Sequence, residues 1–308
     1  MYIFGPVNSR RLGFSLGIDL VPYKTCSYNC IYCECGSTTL ITDVVKEYVS
    51  TDDVIKELES FLEKGVYKID YFTFSGSGEP TLAKNIKDII KYLNRRDINN
   101  IAVLTNGSLF YRDEVIENVI EANIIIPSLD AAKEETFNII NRPIKNIKLN
   151  DVILGLVKLR KRYKGFLALE IFIIEGINTS DEELSLFKEY IKKIEPDQIQ
   201  LNTLDRPGID KSIKKAPYKT LEKIKEFLGH RNTVIVSRRD EGEFFNNNEN
   251  NVKLLIETIK RRPLTIEDMK VMTGLLPKQI YDILYSLRGK YNISEENINN
   301  NTFFKIVD

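Results

Sequence analysis

Histidine and tryptophan are all but missing from this chain, which has one histidine, His230, and no tryptophan in 308 residues. A single imidazole excludes the His-x-x-x-His zinc proteases and any multi-histidine metal centre, and leaves little room for a Ser-His-Asp triad. An excess of one charge is missing too. Lys plus Arg and Asp plus Glu number 44 each, so the molecule is no polybasic coat for nucleic acid, although a local basic patch stays open. No apolar run approaches the roughly 20 residues that cross a bilayer. The opening Met1-Tyr2-Ile3-Phe4-Gly5-Pro6 lacks the charged leader and long apolar stretch of a secretory signal. A soluble cytoplasmic protein with reduced cysteines and no membrane partner is expected.

Cysteine is absent after Cys35. All four, Cys26, Cys30, Cys33 and Cys35, fall within ten positions. Bridges among residues so crowded would close only tiny loops and could not staple a chain of this length. A metal or a cluster is the use left for them. The chain is long enough for one large domain plus a small one, burying roughly 75% of the surface its unfolded form exposes.

The order of segments is repetitive. Strand-like runs at Leu16 to Val21, Tyr71 to Phe74, Ile101 to Leu104, Ile124 to Ile126, Leu167 to Ile174, Gln198 to Leu201 and Thr233 to Val236 alternate with helical periodicity. The helical stretches are 51–64, 84–95, 112–121, 132–141, 149–163, 181–194 and 217–228. At least six βα units in series demand a parallel sheet with helices outside, an α/β fold of the partial (β/α)6 TIM-barrel type. Reactive residues then belong just after each strand. Residues 1–239 form this core, the asparagine-rich 240–251 reads as a polar linker, and 252–308 changes character. A helix over 252–262, a short one opened by Thr265 and stopped by Gly274, a third over Leu276 to Tyr291 and a hairpin-like tail resemble a winged helix. Its nine Lys/Arg against seven Asp/Glu make a weak basic stripe for a DNA reader, so protein contact or a cover over the barrel mouth fits equally.

Chemistry concentrates in Cys26-x-x-x-Cys30-x-x-Cys33. Three thiolates at this spacing can hold three corners of a cubane cluster and leave the fourth iron without a protein ligand. Zinc asks for two C-x₂₋₄-C pairs, and Cys33 and Cys35 are separated by one residue. A plant-type ferredoxin needs a distant fourth cysteine. Cys35 reads as a small loop residue. A zinc-loop regulatory protein and an iron–sulfur electron carrier remain the alternatives.

Cys26-Ser27-Tyr28-Asn29-Cys30-Ile31-Tyr32-Cys33 resembles the C-x₃-C-x-Φ-C signature of the radical S-adenosylmethionine (radical SAM) superfamily, Φ being aromatic. The run from Gly5-Pro6-Val7-Asn8-Ser9-Arg10-Arg11-Leu12-Gly13 to Asp19 is similar to a largely uncharacterised microbial group within it. The resemblance implies a [4Fe-4S] cluster on Cys26, Cys30 and Cys33 and SAM chelated to its open iron. It implies reductive cleavage to a 5′-deoxyadenosyl radical, hydrogen abstraction from a substrate, a ferredoxin or flavodoxin as electron donor, and a low-oxygen setting. It also places SAM contacts. Tyr32 matches the aromatic beside the adenine, and Gly76, Ser77, Gly78 and Glu79 match the Gly-Gly-Glu motif whose carbonyls take the methionine ammonium, with Ser77 in place of the first glycine. Asn106, Ser128 and Asp130 match positions that reach the ribose or carboxylate, and Asn202 a position near the adenine. Asn106 and Asp130 would equally serve as helix caps. Arg10 and Arg11 suggest an anion site for substrate phosphate or carboxylate, or structural salt bridges, and Arg142 a further substrate contact. The run from Lys158 to Lys164, at a helix end, reads as a solvated face. The substrate is open among RNA, protein and a small metabolite, with the winged helix favouring a macromolecule.

Overall fold

The computed structural model describes residues 1–63, 68–236, 250–298 and 301–307, with the side chains of 250–254 left aside. In chain order the elements of the larger unit are β1 (Ile3–Ser9), β2 (Gly13–Ile18), β3 (Thr25–Cys26), β4 (Leu40–Ile41), α1 (Thr51–Leu62), β5 (Tyr71–Phe74), α2 (Ile86–Arg95), β6 (Ile101–Thr105), α3 (Asp113–Val119), β7 (Ile124–Pro127), α4 (Glu134–Ile140), α5 (Leu149–Arg162), β8 (Phe166–Ile173), α6 (Asp181–Ile194), β9 (Gln198–Thr203), α7 (Tyr218–Leu228) and β10 (Thr233–Ile235). One eight-stranded sheet runs β1-β2-β5-β6-β7-β8-β9-β10. From β2 onward every neighbouring pair is parallel, and only the β1/β2 pair is antiparallel. This is the partial barrel that the βα series requires.

Several boundaries differ from expectation, and the helix read over Leu276 to Tyr291 spans Pro277–Leu287. The first core strand is Gly13–Ile18, ending three residues before Val21, and β1 ahead of it was not foreseen. Gly5-Pro6 interrupts β1, and a proline is tolerated there because β1 is an edge strand with a register shift between Phe4 and Val7. Residue 64, 237–239 and most of the linker, 240–249, lie outside the described residues, while Asn250 already opens a helix.

The strands are short and continuous in hydrophobicity because both faces are covered. Phe72, Phe74, Ile101, Val103, Ile125, Leu167 and Leu169 pack under the helices with Val54, Leu58, Ile89 and Leu156. The opposite face carries Tyr71, Ala102, Leu104, Ile124, Ile126 and Ala168 against Leu12 of the hairpin turn. It is also polar, since the hydroxyls of Ser15 and Thr73 lie 2.5 Å apart there. Helix ends follow local chemistry. Ser50 and Ser180 cap α1 and α6 by accepting from Asp53 N and Glu183 N, and Gly229 closes α7 in a left-handed conformation.

The C-terminal unit comprises α8 (Asn250–Arg261), α9 (Ile266–Thr273), α10 (Pro277–Leu287), β11 (Asn292–Ile298) and β12 (Asn301–Val307), the last two paired as an antiparallel hairpin. Thr265 and Asp268 form the capping box of α9. The unit's core, with Leu255, Ile259, Leu264, Met269, Leu284 and Phe304, takes in Val7 of β1. The small unit therefore grows out of the sheet's β1 edge.

Candidate active site

The cysteine loop leaves β2, passes β3 and is stitched to its neighbours by backbone bonds. Ile31 N donates to Ile140 O at 2.9 Å, Asn29 N to Asn141 O at 3.0 Å and Ile144 N to Ser27 O at 2.8 Å. The loop is thus held by the segment after α4, and three sulfurs receive N–H donors from around it. Lys24 Nζ reaches Cys33 Sγ at 3.1 Å, Asn106 Nδ2 reaches Cys26 Sγ at 3.5 Å beside Tyr28 N at 3.4 Å, and Asn141 Nδ2 reaches Cys30 Sγ at 3.5 Å. Such donors stabilise thiolates. The neighbouring Cys35 thiol, against the opposing effect of burial and with help from Lys24, holds Cys33 below its ordinary value. Burial, then the Glu79 carboxylate, pushes Cys26 up to about 12. Burial lowers Lys24, but the Cys33 and Cys35 sulfurs outweigh it and hold the ammonium above its ordinary value.

The donor set suits a cluster. Among the described residues no three His, Cys, Asp or Glu side chains gather closely enough to hold one metal ion. A cubane needs thiolates spread over separate corner irons. Cys35 is turned away from such a role, since its thiol donates to Gly76 O at 3.5 Å.

The loops after β5, β6 and β7 meet the cysteine loop at the carboxyl ends of the strands. Glu79 is buried, and its carboxylate accepts from Thr81 N at 3.0 Å, Thr81 Oγ1 at 2.6 Å, Thr105 Oγ1 at 2.6 Å and Asn106 N at 2.8 Å. Its side chain therefore locks the β5 loop to the β6 loop, even though burial raises its carboxyl above the ordinary range. Glu79 N donates to Thr25 O at 3.0 Å, and a Cβ on Gly78 would stand 2.1 Å from that same oxygen. Only glycine lets the two loops touch. Ser77 bonds Asp19 through N at 3.0 Å and Oγ at 2.9 Å. Asn106 spans Ser27 Oγ, at 2.9 Å, and Cys26.

Asp130 accepts from Tyr32 Oη at 2.5 Å, Asn141 Nδ2 at 2.9 Å and Phe172 N at 3.0 Å. Burial nevertheless pushes it up to about 6. The Tyr32 ring, fixed by that bond, stacks on Phe172 at 4.0 Å between centroids. Ser128 sits beside these groups, with its N bonded to Thr105 O at 3.0 Å and its backbone bridged to Glu170.

The remaining candidates are engaged in a second, polar group. Glu170 accepts from Asn202 Nδ2 at 3.2 Å and forms an ion pair with Arg11. Arg10 pairs with Asp205 at 3.8 Å. The structure thus brings Tyr32, Gly76 to Glu79, Asn106, Ser128 and Asp130 to the cysteine loop. It sets Arg10 and Arg11 in ion pairs at the β1–β2 turn and Asn202 in a hydrogen bond to Glu170. Arg142 adopts a left-handed φ of 44° beside the loop, but its side chain is exposed. The basic run at the end of α5 is held in ion pairs, Lys158 and Arg162 with Asp113 and Arg160 with Asp197. Lys24, Asn141, Asp19 and Arg206 were missed. Lys24 and Asn141 abut candidate motifs in sequence, but nothing in their residue type announces a sulfur contact.

The family model of the Radical SAM superfamily matches residues 20–187. A UPF0026 protein of Methanocaldococcus jannaschii is 35% identical over 301 residues, covering 96% of this chain and 88% of its own length. A protein of Brachyspira hyodysenteriae named GTPase Obg is 35% identical over 299 residues, and the chain spans 44% of that longer relative. No G-x-x-x-x-G-K-[ST] phosphate loop occurs in this chain. A solved structure of TYW1 with a lysine-pyruvate adduct bound superposes with a TM-score of 0.54 at 18% identity, covering 74% of this chain and 76% of that one.

Proposed function

The chain belongs to the radical SAM superfamily, and we propose that Cys26, Cys30 and Cys33 are the residues with which it carries out that superfamily's chemistry on a macromolecular substrate. It is an enzyme that uses a [4Fe-4S] cluster and S-adenosylmethionine. When bound, the reduced cluster supplies one electron that splits SAM to a 5′-deoxyadenosyl radical able to take hydrogen from a substrate carbon. The observation that carries the reading is the trio of sulfurs with N–H donors, while the fourth sulfur, on Cys35, bonds a carbonyl instead.

Each residue has a task in this reading. Lys24, Asn106 and Asn141 offset the negative charge of the thiolates and fix their orientation. Glu79 holds the β5 loop so that the Gly76 carbonyl faces the cysteine loop, where it can accept the methionine ammonium of SAM. Tyr32 offers an aromatic face pinned by Asp130 and Phe172, and Ser128 adds a hydroxyl nearby. Arg11, Glu170 and Asn202 line the polar interior where substrate approaches. A ferredoxin or flavodoxin would deliver the electron, in a cytoplasm that keeps thiols reduced. The order of three helices and a hairpin supports a winged-helix reading of the C-terminal unit, and the exposed Tyr281 and Tyr285 on α10 suit contact with RNA or a partner protein. Anaerobically reconstituted protein should be brown and should form 5′-deoxyadenosine from SAM and dithionite. Colourless zinc protein, or iron–sulfur protein that never cleaves SAM, would refute the reading. Tracing labelled hydrogen into RNA and protein fractions then identifies the substrate class.

A further inference from the structure

We propose that the C-terminal unit is a built-in part of the cofactor site, with Arg261 and Asp19 acting as positioning residues for the Ser75-to-Glu79 loop. The inference rests on the reading of that loop as the cradle for SAM and adds the device that holds it.

Asp19 follows β2 directly and is 5% exposed. One of its oxygens, Oδ2, accepts from Ser77 N at 3.0 Å, Ser77 Oγ at 2.9 Å and Arg261 Nε at 3.2 Å. A carboxylate this buried needs a counter-charge, and Arg261 of α8 supplies one. The guanidinium works as a fork. Its remaining nitrogens reach Met1 O at 2.7 Å, Glu257 O at 2.9 Å and Glu257 Oε2 at 3.0 Å, so one planar group ties the N-terminus, α8 and the β2 end together.

The loop is shaped to receive this contact. A Cβ on Gly76 would stand 2.2 Å from Asp19 Cγ, so glycine makes the room the carboxylate occupies. Ser77, where the resemblance leads one to expect glycine, uses its hydroxyl on Asp19. On its other side the same residue accepts from Lys24 N at 3.2 Å, and the Lys24 ammonium bonds Cys33. Ser77 is thus clamped between a carboxylate anchored on the C-terminal unit and a lysine anchored on the cysteine loop.

Two further contacts link the same unit to the cysteine loop, one directly and one through an arginine of the larger unit. Lys305 Nζ in β12 donates to Glu34 O at 3.0 Å, one residue past Cys33. Arg206, after β9, bonds Pro263 O at 2.9 Å and pairs with Asp268 at 3.3 Å and Glu34 at 3.5 Å. A module that merely carried a substrate-docking face would have no need to grip both cofactor loops. A cavity of about 440 Å³, lined in part by Tyr2, Asp19, Ser77, Lys260 and Arg261, lies at the joint.

The test uses full-length protein with Arg261→Ala, Arg261→Lys and Asp19→Asn, reconstituted anaerobically. Iron content, amide hydrogen exchange of the Ser75-to-Glu79 segment without SAM, and SAM affinity by equilibrium dialysis are measured on each. The Arg261→Ala protein should keep wild-type iron, exchange the Ser77 amide at least tenfold faster and bind SAM about tenfold more weakly, the scale of one lost charge-assisted bond. Arg261→Lys and Asp19→Asn should fall between it and wild type. Unchanged exchange in Arg261→Ala overturns the proposal, and so does faster exchange with unchanged SAM affinity. Wild-type protein that takes up no SAM would sink the functional reading instead, and the Ser77 amide would still decide whether the clamp exists.

Discussion

Cys35 stands two positions after Cys33, yet its thiol donates to the Gly76 carbonyl rather than standing as a fourth free donor. Replacing it with alanine should leave iron content and SAM cleavage at wild-type levels, whereas Cys30→Ala should abolish both. Iron and sulfide assays with the visible spectrum check the pair, and a colourless Cys35→Ala protein would refute the three-ligand site. Asp130 makes a different prediction. Burial lifts its carboxyl from 3.8 to about 6 although three donors oppose the shift. An acid whose folded value exceeds its unfolded one binds more protons when folded, so its contribution to stability is full below about pH 4 and is lost as pH rises to about 6. The unfolding free energy of wild type relative to Asp130→Asn should therefore fall between those limits and be flat above them, by at most about 3 kcal/mol. Urea titrations across pH 4 to 7 read this directly, and a flat difference would mean that the donors win over burial.

The elements that position these residues were legible to very different degrees. Tyr71-Phe72-Thr73-Phe74 and Ile124-Ile125-Ile126 announce themselves because parallel strands covered on both faces must be apolar throughout. The edge strand β1 did not, because Gly5-Pro6 breaks the run and one side of an edge strand needs no ladder donor. The Cys26, Cys30 and Cys33 spacing is local and was readable, as was the glycine-rich loop after β5. What was not readable is how that loop meets the cysteine loop, since the contact joins residues more than fifty positions apart. Gly78 is where it becomes testable. Its missing Cβ would meet a backbone oxygen, Thr25 O, at 2.1 Å, and backbone cannot rotate aside. Gly78→Ala should cost about 1–3 kcal/mol of stability and reduce iron uptake, because the displaced neighbour is next to Cys26. Thermal unfolding alongside iron content measures both, and normal values of each would show that the loops have slack.

For the molecule as a whole, a zero formal net charge conceals a buried ionic junction between its two units. Arg206 is 7% exposed and faces Glu34, Asp205 and Asp268, with Arg10 and Arg262 also close in charge. Burial works against the Glu34 carboxylate, but these arginines hold it below its ordinary value, so the stability it adds is present at neutral pH and lost on acidification. Breaking a buried network by removing one partner leaves the others desolvated and unpaired, at a cost of about 3–5 kcal/mol. Arg206→Ala should show that loss in urea unfolding of the apo-protein. Because Glu34 follows Cys33, the same variant should also take up less iron on reconstitution. Replacing exposed Lys193, paired with Glu189 on the surface of α6, should change stability by less than about 1 kcal/mol and leave iron uptake alone. If the two substitutions behaved alike, the network around Arg206 would be an ordinary solvated surface rather than a buried junction.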